Sequence, residues 1–573
     1  MRYLALACDY DGTIATNGRV DDRTLAALER VPASGRKLIL VTGRELDDLQ
    51  SVFPHLHLFE LVVAENGALL YRPTAKEAQV LGETPPQEFI HRLRERGIAP
   101  LSVGRVIVAT WEPYETAVLE VIRDMGLEMQ VIFNKGAVMV LPAGINKGTG
   151  LAAAVRELAL SVHNVVGVGD AENDHAFLST CECAVAVANA LPTVQQRADF
   201  VTKGDHGDGV VELIDMLVTD DLKQMEPVIT RHHVLLGTRD DGREVRINPH
   251  GSNVLIAGAS GSGKSTAAGG LLERLAEQGY QFCVIDPEGD YQSFEGAVVV
   301  GDQKHQPSMD EVFKLLAKPD THSVINLLGI PLQDRPGVFA GLVPRLQEFG
   351  ARTGRPHWTA VDETHHLLPA SSAAVLPTKI EGMLFITVHP DQVSPAVLSA
   401  IDIVLVVGEA PEKAFEAFGR ASGQSPPETI WPSLEHGQAM VWFRREQEGP
   451  FRVHLSPRRS DHRRHRRKYA QGELGPDKSF YFQGPEGKLN LRAQNLALFL
   501  QLAEGIDDAT WIHHLKHHDY SRWFRDAIKN EGLAEKTERI EQLADRPPAE
   551  TKTLIKEAIE EEYTLPSSSV ITQ

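Results

Sequence analysis

Two short loops, each directly after an apolar run, constrain the fold of this 573-residue chain more than any other feature. Residues 9–13 read Asp-Tyr-Asp-Gly-Thr and follow the apolar run 3–8. Residues 258–265 read Gly-Ala-Ser-Gly-Ser-Gly-Lys-Ser and follow the apolar run 254–257. Parallel α/β sheets build their sites at the carboxyl ends of strands, where both loops would lie. The sequence therefore predicts two α/β domains with two different sites.

The length of the chain predicts about three or four domains, because a single core of this size is unusual. The composition, 42% hydrophobic and 24% charged, is that of an ordinary globular protein. Apolar runs stay short of the ~18 residues that span a bilayer, so we expect neither a transmembrane helix nor a signal peptide. The four cysteines lie in or beside apolar runs without metal or disulfide spacing, and we expect core thiols in a cytoplasmic protein.

The formal net charge is −20 at pH 7, which disfavours broad nonspecific binding to DNA or to anionic lipid. One dense basic run begins at Arg458 and Arg459 and continues from His462 to Lys468. Such a run is more typical of a solvated linker than of a nucleic-acid contact. Nucleic acid stays open as an alternative partner, and we expect no membrane partner.

Strand and helix patterns alternate in the first and central parts of the chain, as in parallel sheets wound with helices. Helical stretches interleaved with further strand patterns interrupt the first sheet, as an inserted α/β cap would. The predicted segments are a first α/β core at 1–79 and 141–217, its cap at 80–140, a linker at 218–231, a second α/β domain at 232–457, a basic linker at 458–479 and a small, mostly helical module at 480–573.

Four motifs follow one another in the first α/β segment. They are residues 9–13, the run Val-Thr-Gly-Arg at 41–44, Lys147 within 145–150, and the run Gly-Val-Gly-Asp-Ala-Glu-Asn-Asp at 167–174. This set resembles the haloacid dehalogenase superfamily of phosphatases over the whole segment. The resemblance implies a Rossmann-like core. A cap between the second and third motifs is similar to the branch that includes sugar-phosphate phosphatases.

The same resemblance implies roles for the matching residues. Asp9 would be the nucleophile that forms an aspartyl-phosphate, and Asp11 would protonate the leaving oxygen and then activate water. Thr42 and Lys147 would hold the transferring phosphoryl group. An anionic phosphate ester repels an attacking carboxylate, so a cation beside the nucleophile is needed. The second aspartate, Asp11, favours hydrolysis over dehalogenation within the superfamily.

A metal site is also implied by the resemblance. Asp170, with Asp9 and the backbone carbonyl of Asp11, would hold Mg²⁺, a hard ion that takes oxygen ligands. Asp174 would support that site. The substrate would be a phosphomonoester selected by the cap, and the cap sequence does not indicate which ester.

The second loop has the pattern Gly-x4-Gly-Lys-Ser between a predicted strand and a predicted helix at 266–277, which is the context that supports a nucleotide site. Backbone N–H groups of such a loop wrap phosphates, Lys264 would reach the β- and γ-phosphate oxygens, and Ser265 would bind Mg²⁺. We therefore expect ATP as the ligand. The residues expected to bind it are Gly258, Ser260, Gly261, Gly263, Lys264, Ser265 and Thr266.

Two acids follow an apolar strand pattern at 358–361. We expect Asp362 to support the metal of the nucleotide site and Glu363 to polarise the attacking water. The central segment resembles FtsK/HerA-type translocase ATPases, which implies a P-loop NTPase fold of the RecA/FtsK type. The stretches that carry this resemblance are 253–266, 284–291 and 361–368.

The ATPase resemblance implies an assembly and also shows two departures. Family members usually act as hexameric rings, so we expect a homo-oligomer in which a neighbour supplies an arginine, with Arg345 and Arg420 as candidates. His389 and Pro390 stand where the family commonly has a Gln before Arg-Pro. The β-barrel that usually precedes this ATPase in HerA proteins is replaced here by the first α/β segment.

The C-terminal module contains His514 and His518, which would face the same side of one helix. Imidazoles suit transition metals, but we expect a packed helix end with hydrogen-bonded histidines. The segment resembles a small helical domain of unknown function, which implies docking or regulation.

Three functions fit these observations. The leading one is a Mg²⁺-dependent phosphatase for a small, sugar-phosphate-like ester, fused to an oligomerising ATPase. In the alternative, the ATPase moves on DNA or RNA and the phosphatase processes nucleic-acid ends or nucleotides, as in repair or phage defence. The third is a nucleotide-gated scaffold without catalysis. The placement of the cap and the acidic net charge favour the first.

Overall fold

The computed structural model describes residues 1–292, 294–371, 381–426, 429–458, 474, 478–487, 489–528, 530–543 and 546–562. The chain divides into two compact units, one formed by 1–258 with 271–456 and the other by 259–270 with 457–573. Within the described ranges, every helix is too short or too polar to cross a lipid bilayer. The predicted basic linker lies almost entirely outside the described residues.

The N-terminal region, residues 1–220, alternates strands with helices. Its strands are β1 (Ala5–Asp9), β2 (Lys37–Val41), β3 (Leu61–Ala64), β4 (Leu69–Arg72), β5 (Glu77–Val80), β6 (Ser102–Val103), β7 (Val108–Trp111), β8 (Met129–Asn134), β9 (Ala137–Pro142), β10 (Val165–Gly169), β11 (Cys183–Ala186) and β12 (Phe200–Val201). Its helices are α1 (Asp22–Ala33), α2 (Leu46–Val52), α3 (Gln87–Glu95), α4 (Glu115–Met125), α5 (Lys147–Glu157), α6 (His175–Thr180), α7 (Pro192–Arg197) and α8 (His206–Asp220).

The core sheet of this region has eight strands in the order β12-β11-β10-β1-β2-β3-β4-β5. Strand β1 runs parallel to β10 on one side and to β2 on the other. All five of its residues are buried, as expected for a central strand of a parallel sheet. The three strands end at one edge of the sheet, where the chain places Asp9, Thr42 and Asp170.

A separate antiparallel sheet in the order β6-β7-β9-β8 lies within the same region. Helices α3 and α4 contribute Phe89, Leu93 and Val118 to the hydrophobic core that they share with this sheet. The two helices and four strands form an α/β cap, as the sequence predicted. Strand β5 (Glu77–Val80), which directly precedes the cap in the chain, pairs with β4 and belongs to the core sheet.

The central region, residues 234–455, contains a second large sheet. Its strands are β13 (Val234–Thr238), β14 (Glu244–Ile247), β15 (Val254–Ala257), β16 (Phe282–Asp286), β17 (Ala297–Val300), β18 (His322–Asn326), β19 (Trp358–Val361), β20 (Met383–Thr387), β21 (Ile403–Val407), β22 (Gln438–Phe443) and β23 (Phe451–Leu455). Its helices are α9 (Lys264–Glu277), α10 (Met309–Leu316), α11 (Arg335–Thr353), α12 (Thr364–Leu367), α13 (Pro395–Ser399) and α14 (Pro411–Ser422).

This sheet has eleven strands in the order β14-β13-β23-β22-β21-β15-β20-β19-β16-β18-β17. The strands from β21 to β17 in that order are parallel, and antiparallel pairing extends the sheet on the β21 side. Asp286 and Asp362 stand at the carboxyl ends of the paired parallel strands β16 and β19. This is the α/β architecture that the sequence predicted for the central region.

The C-terminal part of the second unit is mostly helical. It contains the strand pair β24 (Phe480–Phe482) and β25 (Leu491–Ala493), and its helices are α15 (Leu496–Gly505), α16 (Asp508–Lys516), α17 (Asp519–Asp526), α18 (Glu531–Glu541) and α19 (Pro548–Glu562). His514 is buried in α16, where Nε2 accepts a hydrogen bond from the backbone of Gln483 and Nδ1 lies 2.8 Å from Asp519. His518 has a φ of 55° and separates α16 from α17, so the two imidazoles do not share one helix.

A buried polar cluster joins the N-terminal region to the central region within the first unit. The carboxylate of Glu182, 1% exposed, accepts hydrogen bonds from Arg2 at 2.7 Å and from the Tyr280 hydroxyl at 2.9 Å. His250 Nε2 lies 3.1 Å from the same carboxylate. An isolated buried charge costs free energy, and these partners offset that cost for Glu182. They also connect Glu182 to both regions.

His163 extends this cluster. Its Nδ1 lies 2.7 Å from Glu182 Oε2, and its Nε2 lies 2.6 Å from the carbonyl oxygen of Gln278. Both neighbours accept hydrogen bonds, so the ring satisfies them together when both nitrogens carry protons. The ring also stacks on Tyr280 with 3.7 Å between centroids. His163 therefore links a residue of its own region to the chain segment that follows α9.

Replacing Glu182 with Gln should destabilise the full chain and change its response to acid. Burial alone would raise the pKa of Glu182, but His250 and His163 hold the pKa well below its usual range. The contribution of Glu182 is therefore full above its unfolded pKa of about 4.3 and is lost as pH falls through the lower folded pKa. At pH 7 we expect a loss of about 3–5 kcal/mol in the free energy of unfolding.

Urea unfolding across a pH series measures this effect, with Glu77→Gln as the control because Glu77 is exposed in β5. The difference in the free energy of unfolding between wild type and Glu182→Gln should become smaller as the pH falls. Equal unfolding free energies at pH 7 would show that the cluster contributes nothing.

Candidate functional site

Three acidic side chains meet at the edge of the core sheet where β1 and β10 end. Oxygens of Asp9, Asp170 and Asp174 lie within 4.8 Å of one another, and all three residues are buried. The parallel register that pairs Cys8 with Val168 carries Asp9 and Asp170 to the same edge. The structure therefore brings Asp9 together with Asp170 and Asp174, two acids of one loop that is distant from Asp9 in the sequence.

Lys147 lies between two of these acids. Its Nζ is 2.5 Å from Asp9 Oδ1 and 2.6 Å from Asp174 Oδ1, and its side chain is 1% exposed. Helix α5 begins at Lys147, and Asn146 caps it by accepting hydrogen bonds from two backbone N–H groups. The amine is thus fixed by a capped helix start rather than by a loop.

The electrostatics of this group are set by burial and close charges. Burial alone would lower the pKa of Lys147, but Asp174 and Asp9 on either side raise it, so the amine stays charged. Burial and then the charge of Asp174 raise the pKa of Asp9, and Lys147 opposes that rise. Burial likewise raises the pKa of Asp170. Three carboxyl groups are thus concentrated around one buried cation.

The Asp170–Asp174 loop is held by its own hydrogen bonds. The Oδ2 of Asp174 accepts from the backbone N–H groups of Asp170 and Ala171, both at 2.8 Å. The Thr13 hydroxyl donates to Asp170 Oδ1 at 3.2 Å. Asp174 thus uses one oxygen to shape the loop and the other to hold Lys147.

The Asp11 carboxylate is paired with Arg44. Arg44 holds its carboxylate through Nε at 2.6 Å and Nη2 at 2.7 Å, and the Asp11 side chain is 42% exposed. Arg44 also contacts Asp48 at 2.6 Å. Thr42 is buried at the end of β2, and its hydroxyl accepts a hydrogen bond from the backbone of Arg44 at 3.1 Å. The second and first motifs therefore meet through Arg44.

Glu65 fastens the cap to the core. Its buried carboxylate accepts backbone hydrogen bonds at 2.8–3.0 Å from Arg105, Val106 and Ile107, which lie between β6 and β7 of the cap. The backbone of Glu65 has a φ of 50°, which is unfavourable for a residue other than glycine. The contact with the cap is present despite this backbone conformation. Its partners lie about 40 residues away along the chain, so sequence reasoning gave it no such role.

Lys135 is a residue that the sequence analysis missed. It lies in the turn between β8 and β9 of the cap, and its Nζ is 2.7 Å from Asp170 Oδ2. The available signal was a Lys-Gly pair between two strand patterns, which predicts a tight turn but not where the turn points.

The predicted phosphate loop forms a turn that leads into α9. Gly261 and Gly263 have φ values of 77° and 96°, a region that glycine adopts without strain. Lys264 starts the helix, and its Nζ donates to the carbonyl of Ala259 at 2.9 Å. Ser260 and Ser265 are exposed, Thr266 is half-buried, and Gly258 directly follows β15. The N-terminus of a helix suits an anionic phosphate.

The acids of the central region belong to the first unit. Burial, then Asp286, raise the pKa of Asp362 well above its usual range. Asp286 accepts hydrogen bonds from three backbone N–H groups at 2.7–3.1 Å, and burial raises its pKa to about 6. Glu363 follows in a left-handed conformation with φ of 41°, and its Oε2 lies 3.4 Å from His365 Nδ1. The structure adds Asp286 to the predicted pair of acids.

Comparison with known proteins agrees with this geometry. A family model described as haloacid dehalogenase-like hydrolase matches residues 6–98 and 106–214. A phosphoglycolate phosphatase of Methanothermobacter thermautotrophicus is 31% identical over 219 residues, which are 37% of this chain and 96% of that protein. The chain belongs to the haloacid dehalogenase-like hydrolases. The first resemblance found in the sequence is thereby confirmed.

Further comparisons extend this result. A second family model, described as the central domain of helicase HerA, matches residues 244–335, which confirms the second resemblance. Phosphoglycolate phosphatase 2 of Saccharolobus solfataricus is 29% identical over 225 residues, 38% of this chain and 93% of that protein. A solved haloacid dehalogenase-like hydrolase from Bacteroides thetaiotaomicron has a TM-score of 0.33 and 18% identity, covering 38% of this chain and 99% of that chain. The hydrolase and HerA-type regions are thus joined in one chain.

Gly12→Ala should disturb the hydrolase site more than Gly144→Ala. Both glycines are left-handed, with φ of +89° and +81°. A Cβ at Gly12 would lie 2.4 Å from Asp170 Oδ2, whereas a Cβ at Gly144 meets nothing within 4 Å. We expect Gly12→Ala to lower the free energy of unfolding by about 1–3 kcal/mol more than Gly144→Ala, measured by urea denaturation. Equal losses of unfolding free energy in the two variants would contradict this expectation. They would show that the loop containing Gly12 can move away from Asp170 at little cost.

Proposed function

We propose that this chain is a Mg²⁺-dependent phosphomonoester hydrolase joined to an ATP-hydrolysing HerA-type domain. The observation that carries the proposal is the buried Lys147, which lies between Asp9 and Asp174 beside Asp170. A phosphoryl group has anionic oxygens, so a site for it needs a fixed cation next to the attacking carboxylate.

The acids fit a magnesium site. Their oxygens are close enough for one small ion, and Mg²⁺ prefers oxygen ligands. We assign Asp9 and Asp170 to it, with the backbone carbonyl of Asp11. Asp174 supports them, because both of its oxygens already hold the loop and Lys147. When bound, the ion would withdraw negative charge from the phosphoryl oxygens.

In the proposed mechanism, an oxygen of Asp9 attacks phosphorus, and the bond from phosphorus to the ester oxygen breaks. The leaving oxygen takes the proton of the Asp11 carboxyl and departs as an alcohol. Water then attacks the aspartyl-phosphate, gives a proton to Asp11, and releases inorganic phosphate with Asp9 regenerated. Asp11 must leave Arg44 to transfer these protons, and Lys147 holds the phosphoryl group throughout.

The candidate substrate is phosphoglycolate, by similarity to the relatives named for it. A small sugar phosphate is the second candidate, because the cap has the placement found in the sugar-phosphate branch. A screen of phosphate release from both kinds of ester, with Mg²⁺ present, separates them.

Asp9→Asn should abolish phosphate release while ATP hydrolysis continues, because the nucleophile is lost and the HerA-type region is untouched. We expect a loss of about 10³-fold or more in kcat for the ester. Lys264→Ala should do the reverse. Asp47→Asn and Lys413→Ala are matched controls, since both side chains are exposed on helices. Loss of both activities in each variant would contradict two separable sites.

A second candidate function concerns nucleic acid, and the match to a helicase family model favours it. In that case duplex DNA should increase the rate of ATP hydrolysis, and the increase should fall steeply as salt is raised. The assay compares wild type with Lys264→Ala, which gives the background. An ATP hydrolysis rate that DNA leaves unchanged at low salt would reject this candidate.

We also expect the ATPase to assemble into a ring with an arginine donated between copies. Arg345 is one candidate donor, and its guanidinium lies 3.3 Å from Asp310 and over the ring of Phe313. Arg420 lies in α14 and is exposed. Either side chain would have to reach a neighbouring copy.

A further inference from the structure

The geometry of a tight turn determines the position of Lys135. Strands β8 and β9 pair Asn134 with Ala137, which leaves Lys135 and Gly136 as a two-residue connection. Their φ values are 48° and 85°, both left-handed, as in the tight hairpin turns that match strand twist. Lys135 therefore sits at the tip of a cap hairpin in a defined direction.

The amine of Lys135 reaches the catalytic edge of the core. Its Nζ lies 2.7 Å from Asp170 Oδ2, and its own side chain is 48% exposed while that of Asp170 is 1% exposed. The amine also lies 2.8 Å from the point where a Cβ on Gly12 would stand. The cap thus places a cation against the first motif while leaving that cation open to solvent.

The other cations described at this edge each hold two carboxylates, whereas Lys135 contacts Asp170. Lys147 holds Asp9 and Asp174, and Arg44 holds Asp11 and Asp48. Lys135 differs because it is half-exposed and comes from the cap. A bound divalent ion at Asp170 would also compete with this ion pair and release the amine.

We propose that Lys135 recognises a carboxylate on the leaving group of the substrate and so selects small, acidic phosphate esters. This inference rests on the proposed phosphatase function. An anionic ester entering a site with three buried acids is repelled, and a second negative group increases that repulsion. A lysine at the mouth offsets the added charge and forms a charge-assisted hydrogen bond with the carboxylate.

The test compares two esters of the same length. Phosphoglycolate carries a carboxylate, and 2-hydroxyethyl phosphate carries a neutral hydroxyl in its place. Wild type should prefer phosphoglycolate. Lys135→Met should lower kcat/KM for phosphoglycolate by about tenfold or more, mainly through KM, with little change for the neutral ester. Lys135→Arg should restore part of the preference, because it keeps the charge.

Lys76→Met is the matched control, since Lys76 is also an exposed lysine with a left-handed φ, of 56°, in a hairpin turn. It should leave both values of kcat/KM unchanged. A binding readout without turnover uses Asp9→Asn, titrated calorimetrically with each ester in the presence of Mg²⁺. Adding Lys135→Met should weaken phosphoglycolate binding selectively.

The outcomes separate the two proposals. If wild type hydrolyses neither of these esters nor any other phosphomonoester, the proposed function fails. If wild type is active but Lys135→Met changes both esters equally, or neither, the role of Lys135 is wrong while the phosphatase stands. A selective loss for the carboxylated ester, reversed in part by Lys135→Arg, supports it.

Discussion

The hydrolase region depends on one buried cation held between two carboxylates. Lys147 contacts Asp9 and Asp174 at 2.5 and 2.6 Å, and without it the acids would repel one another in a site of low polarity. The capped start of α5 fixes the amine, and the ends of β1 and β10 fix Asp9 and the Asp170–Asp174 loop. The register of the sheet, the helix cap and the hydrogen bonds of the loop therefore all serve to hold Lys147 between Asp9 and Asp174.

Much of this arrangement could be predicted from the sequence. Apolar runs that end in Asp9, Thr42 and Asp170 identify parallel strands, and parallel strands deliver their last residues to one edge. The cap was foreseen because its strand and helix patterns interrupt that series. Lys147 could be placed through its motif, because the resemblance to the haloacid dehalogenase superfamily assigns that position to the phosphoryl site.

Other contacts could not be predicted, because they depend on how distant surfaces pack. Glu182 stands between two cysteines in a run that indicates only a buried strand. Its carboxylate nevertheless accepts a hydrogen bond from Tyr280, which is 98 residues away in the chain. Asp11 was expected to exchange protons with the substrate and water, but the structure pairs its carboxylate with Arg44. Lys135 gave only a turn signal. In each case the partner is chosen by tertiary geometry, which local periodicity does not encode.

The most direct test of the account is to trap the covalent intermediate. Protein loaded with Mg²⁺ is mixed with an ester that it hydrolyses, quenched in acid, digested and analysed by mass spectrometry. The account predicts one added phosphoryl group on the peptide that contains Asp9, and none in Asp9→Asn. Phosphate release with no phosphorylated peptide, or with the phosphoryl group on another residue, would contradict it.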